Sequence, residues 1–314
     1  MNQPVCSIII RAYNEEAHIG RLLKGILEQT VTDREIILVD SGSTDRTMQI
    51  AEKYPVKIIA IEPQEFTFGR ALNLGISAAR APLIVMASAH VYPVYPDWLG
   101  KLLEPFSSDD TALTYGKQRG APGSHFSEQQ IFLHWYADVS VSRQDHPFCN
   151  NANAAIRKSL WQKHPYDETL PGLEDLEWGK WAQEQGHSIA YSALAEIIHV
   201  HNESLSGIYN RYKREAMAFK RIYPHESFSR RDLMRLLTQN VRSDWREAHQ
   251  LNVIDKYWFK IISFRWRQFY GTYQGYRQSG PLTWKLKQAF YYPHKAHAGA
   301  KPVHRRDVEP IKYN

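Results

Sequence analysis

The sequence predicts an α/β fold, a mostly parallel sheet with helices on both faces, followed by a basic helical appendage. Three observations carry that expectation. Short β-branched runs alternate with amphipathic helical segments through the first third of the chain, the pattern of a Rossmann-like, doubly wound sheet. The alternation later gives way to long basic, aromatic-rich segments with helical spacing and few turn signals. Charge divides at the same place: up to Leu205 there are 17 Lys and Arg against 25 Asp and Glu, a net of −8, whereas from Ser206 the counts are 22 and 8, a net of +14. The 314 residues suit two units of about 150 residues each. We place the first at 1–205 and the basic helical region at 206–314.

The elements follow in order. Ser7–Arg11, Ile36–Asp40, Lys57–Ile61 and Leu83–Ala87 are the buried parallel strands. After Asn14, read as an N-cap, Ile19, Leu22, Leu23, Ile26 and Leu27 recur at helical spacing. Ser43 and Thr44 are read as caps of a helix over Asp45–Tyr54 that Pro55 ends, and a third helix runs from about Arg70 to Arg80. Beyond Pro105 the pattern is mixed, with strands at Leu113–Gln118, Asn150–Ile156 and Ile197–His201 and a helix at Glu174–Gln185 closed by Gly186.

Composition narrows the class. With 43% apolar, 23% charged and 12% aromatic residues the chain is globular, not disordered or fibrous. Cys6 and Cys149 are the only cysteines; two cannot build a disulfide framework or a four-Cys zinc site, and a reducing compartment is expected. No apolar run approaches the roughly 20 residues of a spanning helix, and Met1–Cys6 lacks the features of a signal peptide. The expectation is a cytoplasmic protein. Its basic region is suited to docking peripherally on the anionic inner face of the plasma membrane, or alternatively is a solvated helical surface. No nucleic-acid fold signature occurs, and no nucleic-acid partner is expected.

Parallel sheets bind ligands at the carboxyl ends of their strands. Those ends carry Arg11-Ala12-Tyr13-Asn14-Glu15-Glu16 after the first strand and Asp40-Ser41-Gly42-Ser43-Thr44-Asp45 after the second. Asp40 is placed to accept hydrogen bonds from a base or ribose; each motif alone is also an ordinary cap or turn. Neither G-x-G-x-x-G after the first strand nor a P-loop is present.

Taken together, SIIIRAYNEEAHIGRLLKGILEQ, EIILVDSGSTDRTMQIAEKY and FTFGRALNLGISAARAPLIVMASAH resemble the nucleotide-sugar-binding half of family 2 glycosyltransferases of GT-A fold. The resemblance continues through Tyr115–Gln118, Phe148–Trp161, Leu170–Tyr191 and His199–Ser204. Within the family it looks closest to bacterial surface-polysaccharide enzymes, including rhamnosyltransferase-like members. It implies that Asp40 contacts the nucleoside, with Ala12, Asn14 and Glu15 near base and ribose. Arg70 would reach the nucleotide or its phosphates, Asn73 would fix that loop, and Ser88 would line the same pocket. Asn150, Asn153 and Trp178 would stand beside the donor or acceptor sugar. Arg70 as a surface residue and Asn73 as a structural amide remain the alternatives.

One position departs from the family. Asp-x-Asp, which would hold a divalent metal against the diphosphate, is here Ser88-Ala89-His90. That compromises a Mg²⁺ site built of oxygens and leaves His90, with His199 and His201, to ligate Mn²⁺ or to touch phosphate directly. Whether a metal (Mn²⁺ or Mg²⁺) is used stays open on the sequence. Glu174-Asp175 matches the family's catalytic acid pair, which implies Asp175 as general base and Glu174 as its support; acids that complement a helix dipole are the alternative. The function expected is inverting transfer of a sugar from a UDP-, dTDP- or GDP-sugar to a hydroxyl of a bacterial, lipid-linked glycan acceptor. A catalytically weakened scaffold of the same fold, binding nucleotide sugar or glycan, is the alternative.

Overall fold

The computed structural model describes residues 3–201, 203–278 and 308–313. Among them, eight strands form one sheet in the order β3-β2-β1-β4-β7-β6-β8-β5. These are β1 (Cys6–Ala12), β2 (Arg34–Asp40), β3 (Lys57–Ala60), β4 (Leu83–Ser88), β5 (Val91–Pro93), β6 (Thr111–Gly120), β7 (Asn153–Arg157) and β8 (Ser188–His199). The first four pair in parallel, as their continuous apolar runs predict. The sheet is mixed beyond that point: β7 runs antiparallel to both β4 and β6, β6 is parallel to β8, and β5 is an antiparallel edge.

Helices cover both faces. On one, α1 (Ile19–Leu27) buries Ile19, Leu22, Leu23 and Ile26 against Ile8, Ile10 and Leu38. On the other, α3 (Phe68–Ser77) and α7 (Glu174–Glu184) pack over Ile9, Ile37, Met86 and Ile189. Apolar surface leaving water on both sides is what holds the sheet between its helices.

Local starts differ from expectation at two places. Asn14 lies at φ 54 in the left-handed region, so α1 begins at Ile19 with His18 as its cap residue. The side chain of Asn14 is engaged across the next loop instead. Likewise Ser43 and Thr44 do not cap; α2 is the short Thr47–Ala51 and follows Arg46. At α3 the cap is Thr67, whose hydroxyl accepts from the Arg70 amide. Gly186, at φ +85, ends α7 as predicted. The remaining short elements α4 (Trp98–Leu103), α5 (Phe126–Trp135) and α6 (Lys158–Trp161) carry no clean periodicity in the sequence.

The basic region is helical. It contains α8 (Leu205–Ile222), α9 (Arg230–Gln250) and α10 (Ile254–Arg277). Ser204 caps α8, and Ser229 with Asp232 forms a capping box at α9. α10 crosses α8 closely because Gly271 and Gly275 face it: a Cβ there would lie 2.5 Å from the Tyr209 carbonyl and 2.3 Å from that of Lys213. The aromatic run of α10 divides. Phe264 and Phe269 are core, whereas Trp258, Phe259 and Trp266 face solvent. Arg265 is buried, with two nitrogens on Asp244 at 2.7 and 2.8 Å and a third contact to the Ser127 carbonyl of α5. Val308–Tyr313 returns to the sheet edge, where the Ile311 amide donates to the Val94 carbonyl at 2.9 Å. The rest of the expected region, 279–307, lies outside the described residues. No helix among the described residues is long and apolar enough to cross a membrane.

Candidate active site

The carboxyl ends of β1, β2 and β4 form one wall. Ala12 and Asp40 stand side by side in register, and the loops that follow are clasped together. Asn14 Oδ1 accepts from the Thr44 and Asp45 amides at 2.8 and 3.2 Å, and the Asn14 amide donates to Ser43 Oγ at 2.8 Å. The Asp40 carboxylate accepts from the Gly42 and Ser43 amides at 3.0 and 2.9 Å and from Ser43 Oγ at 2.5 Å. The Ala12 carbonyl takes the Ser41 amide and hydroxyl. Three of the four acceptor sites of the Asp40 carboxylate are thereby occupied by its own turn.

Opposite this wall, α7 delivers the acid pair. Leu173, at φ 57, turns the chain through the left-handed region, which costs a non-glycine residue about 1–2 kcal/mol and directs Glu174 and Asp175 inward. Both are nearly buried. Glu174 accepts from Arg11 at 2.9 Å, and Asp175 accepts from the amides of Asn151 and Leu176 at 3.0 and 2.8 Å. Burial, together with the neighbouring Glu174 charge, raises the Asp175 carboxyl to about 7 despite those donors. A carboxylate held there exchanges protons near neutral pH, as a general base requires.

Three imidazoles form the second cluster. The ring centroids of His199 and His201 are 4.0 Å apart, with His90 at 5.1 and 5.9 Å from them. Each ring is held at Nδ1 by an oxygen: His90 by Glu15 at 2.8 Å, His199 by Gln118 at 2.7 Å and His201 by Glu128 at 2.7 Å. These oxygens accept, so Nε2 is the lone pair each neutral ring has left to offer. One potential ligand atom from each lies within 4.8 Å of the others, and Nε2 of His199 is buried without a partner. Nδ1 anchored on a carboxylate or amide oxygen is the outer-shell pattern of metal-bound histidine, and the set fits a divalent cation that accepts nitrogen. Burial and the nearby positive groups push His199 well below its ordinary value and keep it neutral. For His90 burial acts in the same direction, but the Glu15 carboxylate outweighs it and raises the ring. Arg211 of α8 backs the cluster, donating to Glu128 at 2.5 Å and Glu203 at 2.7 Å.

The structure therefore brings together His90, His199 and His201, sets Glu15 behind them, and gathers Glu174 and Asp175 with Arg11. Other expected residues stand elsewhere. Trp178 is fully buried, with its indole nitrogen on the His164 carbonyl, and is a core residue, not a sugar contact. Asn153 is also fully buried: its amide donates to the Lys117 and Ala195 carbonyls and accepts from Trp98, so it ties strands together. Asn73 likewise uses its amide to hold Tyr166, Glu168 and Trp161. Arg70 pairs with Glu65 and Glu168 at 3.4 Å each. Asn150 caps a local turn through Ala152, and Ser88 ends β4 opposite Arg11. The sequence reading missed Arg11, Asn151, Gln118, Glu128 and Arg211. A basic residue one place before Ala12 was visible in the sequence, but its pairing with α7 across 163 positions was not.

Comparison with known proteins identifies the family. The sequence model described as "Glycosyl transferase family 2" matches residues 7–164. The chain belongs to glycosyl transferase family 2. Among its relatives is the O-antigen chain rhamnosyltransferase WbaN of Salmonella anatum, 25% identical over 225 residues, which cover 67% of this chain and 70% of that one. The putative glycosyltransferase EpsH of Bacillus subtilis is also 25% identical, over 66% of this chain and 56% of its own length. In structure the fold is similar to the mannosyltransferase PcManGT from Pyrobaculum calidifontis in complex with GDP-Man and Mn²⁺. The TM-score is 0.61 at 15% identity, covering 88% of this chain and 86% of that one. It is also similar to residues 1–349 of S. aureus TarS in complex with UDP, with TM-score 0.51 and 18% identity, covering 97% and 98%. The fold is GT-A, and family 2 membership makes the chain a glycosyltransferase that uses nucleotide-sugar donors.

Proposed function

We propose that this family 2 enzyme transfers a sugar with inversion, from a nucleoside diphosphate donor to a hydroxyl of a bacterial, lipid-linked glycan. One observation carries the reading: Asp175 is a nearly buried carboxyl poised at about 7, beside a Glu174 carboxylate that is paired with Arg11. Asp175 takes the proton of the acceptor hydroxyl as that oxygen bonds to the anomeric carbon. The bond from that carbon to the diphosphate oxygen breaks on the opposite face, so configuration inverts. Glu174 and Asn151 keep the base in place. Asp40 retains one acceptor site for the nucleoside, and the clasped loops around Ala12 and Asn14 form the floor beneath it. His90, His199 and His201 would hold a divalent cation of nitrogen preference such as Mn²⁺, which would supply positive charge against the departing diphosphate.

Residues 1–205 would be the nucleotide-sugar and catalytic unit, and 206–314 the region that brings it to its acceptor. A cytoplasmic enzyme with Trp258, Phe259 and Trp266 exposed beside Lys256 and Lys260 is suited to reversible docking on an anionic membrane. The O-antigen relatives support a surface-glycan acceptor and rhamnose among the donor sugars to be tried.

The test is a thermal-shift screen of UDP-, dTDP- and GDP-sugars with and without Mn²⁺. It is followed by detection of the released nucleoside diphosphate and by NMR of the product anomer. Stabilisation by one donor family, with release and an inverted anomer, is the expected outcome. Absence of any shift sinks the donor reading, and a retained anomer sinks the inverting one.

A further inference from the structure

The two acids at the start of α7 receive unequal partners. Arg11, near the end of β1, places Nη1 on Glu174 Oε1 at 2.9 Å, an ion pair between a half-buried and a buried side chain. Its guanidinium carbon lies 4.7 Å from the centroid of the Phe68 ring, which holds the fork from the α3 side. Asn151 Nδ2 approaches the same Glu174 oxygen at 3.4 Å, while the Asn151 amide donates to Asp175 Oδ2 at 3.0 Å. Tyr166 donates in turn to Asn151 Oδ1 at 3.3 Å. Glu174 thus has a cation, whereas the donors on Asp175 are the neutral amides of Asn151 and Leu176.

The other titratable groups around the pair keep their protons. The Cys149 thiol, from the loop before β7, donates to the Asp175 carbonyl at 3.2 Å. Tyr136 comes from the end of α5 and Tyr166 from the segment after α6. Burial, with the Asp175 charge adding to it, pushes all three well above their ordinary values. From α8, the Arg214 guanidinium carbon lies 4.8 Å from the centroid of the same Phe68 ring. Two adjacent buried carboxyls bind a proton between them, and it rests on the one with less compensating charge. We propose that Arg11 is a positioning residue for the proton transfer: its ion pair fixes Glu174 as the salt-bridged acid and leaves Asp175 to take the acceptor's proton. This rests on the glycosyl-transfer reading above, with Asp175 as base.

Arg11→Gln removes the charge and retains a hydrogen-bond donor for Glu174. Carboxyl NMR of the full chain, labelled at the side-chain carboxyl carbons of aspartate and glutamate, follows the proton without any donor; Asp175→Asn assigns the signal. In Arg11→Gln the pair should hold its proton about one pH unit above wild type, shared between both carboxyls. Arg11→Lys keeps the charge and should restore the wild-type midpoint. The pH midpoint of nucleoside diphosphate release, from whichever UDP-, dTDP- or GDP-sugar the thermal-shift screen selects, should move with the NMR midpoint. If the Gln protein melts early, its stability becomes the readout. The deficit against wild type should shrink as pH falls from about 8 to about 5, because protonation relieves the uncompensated pair. An unshifted NMR midpoint, or a deficit constant with pH, overturns the role of Arg11 and leaves the transferase reading standing. A midpoint that moves by NMR but not in the rate profile shows that the base lies elsewhere and overturns the role of both residues. A wild type that releases no nucleoside diphosphate overturns the transferase reading and this proposal with it.

Discussion

The acid pair and the imidazole cluster occupy the same mouth of the sheet and are built by opposite means. Asp175 is buried beside another carboxylate, and its two backbone donors do not offset that, so its proton is held up to about 7. His199 is buried, and His90 and His201 are half-buried, beside acceptors: Glu15, Gln118 and Glu128 each take an Nδ1 hydrogen, which fixes the rings and leaves Nε2 as the remaining lone pair. Burial alone raises an acid and lowers a base. What decides the chemistry here is the neighbour each group is given. A carboxyl beside a carboxylate holds its proton up to about 7, and an imidazole beside an acceptor oxygen is fixed in one orientation.

The largest test of that contrast is Asp175→Asn. Transfer should fall by about 10²–10⁴, while affinity for the nucleoside diphosphate, measured by calorimetry, stays within a few-fold. If most activity survives, the base lies elsewhere and Glu174→Gln is the next variant. In the wild type, activity measured against pH should climb through about 7 as Asp175 ionises.

The same variant reports stability. An acid whose folded value is raised favours the protonated form, so its contribution is complete below the unfolded value near 4 and is lost as pH rises through about 7. At about 1.4 kcal/mol per pKa unit, the stability difference between Asp175→Asn and wild type should move a few kcal/mol in the variant's favour from pH 4 to pH 8. Denaturant melts at the two pH values check this; a constant difference would show that Asp175 titrates normally.

On the imidazole side, Glu128→Gln keeps the shape while removing the charge behind His201. Mn²⁺ affinity should drop about 10- to 100-fold, read by metal-dependent thermal shift with no donor present. An unaltered shift would mean that His201 needs no acid behind it. The smallest expected effect is on the far helices. Replacing Trp258 and Phe259 by Ser should change stability by less than about 0.5 kcal/mol yet abolish flotation with anionic vesicles. Equal flotation of both proteins would remove that face from the membrane proposal.

How legible each cluster was follows from the same physics. Four parallel strands and the Gly186 helix end could be read because local pattern specifies them, whereas the acid pair was singled out by resemblance to the family. Asn14 and Ser43 were misread because residues that cap helices also bond across loops; here each completes a contact about 30 positions away, which sequence alone does not rank. Trp178 and Asn153 failed for a related reason. A motif shows that a residue type is wanted, but an indole on the His164 carbonyl and an amide bridging strands serve packing as firmly as ligands. Pairing of His199 with His201 was visible from their spacing, whereas Gln118 and Glu128 behind them depend on the β6–β8 register and on α5.

Glu128 also sets how far the chain can be divided. It is 2% exposed and takes its charge partner from α8, while its neighbour Ser127 accepts from Arg265 of α10. A fragment ending at Leu205 would leave a carboxylate in the interior without its guanidinium, and losing one partner of a buried pair typically costs about 3–5 kcal/mol. The catalytic sheet and its basic helices are therefore bound to be inherited together. Exchange of the helices alone between related enzymes should succeed only where the incoming α8 brings an arginine to this carboxylate.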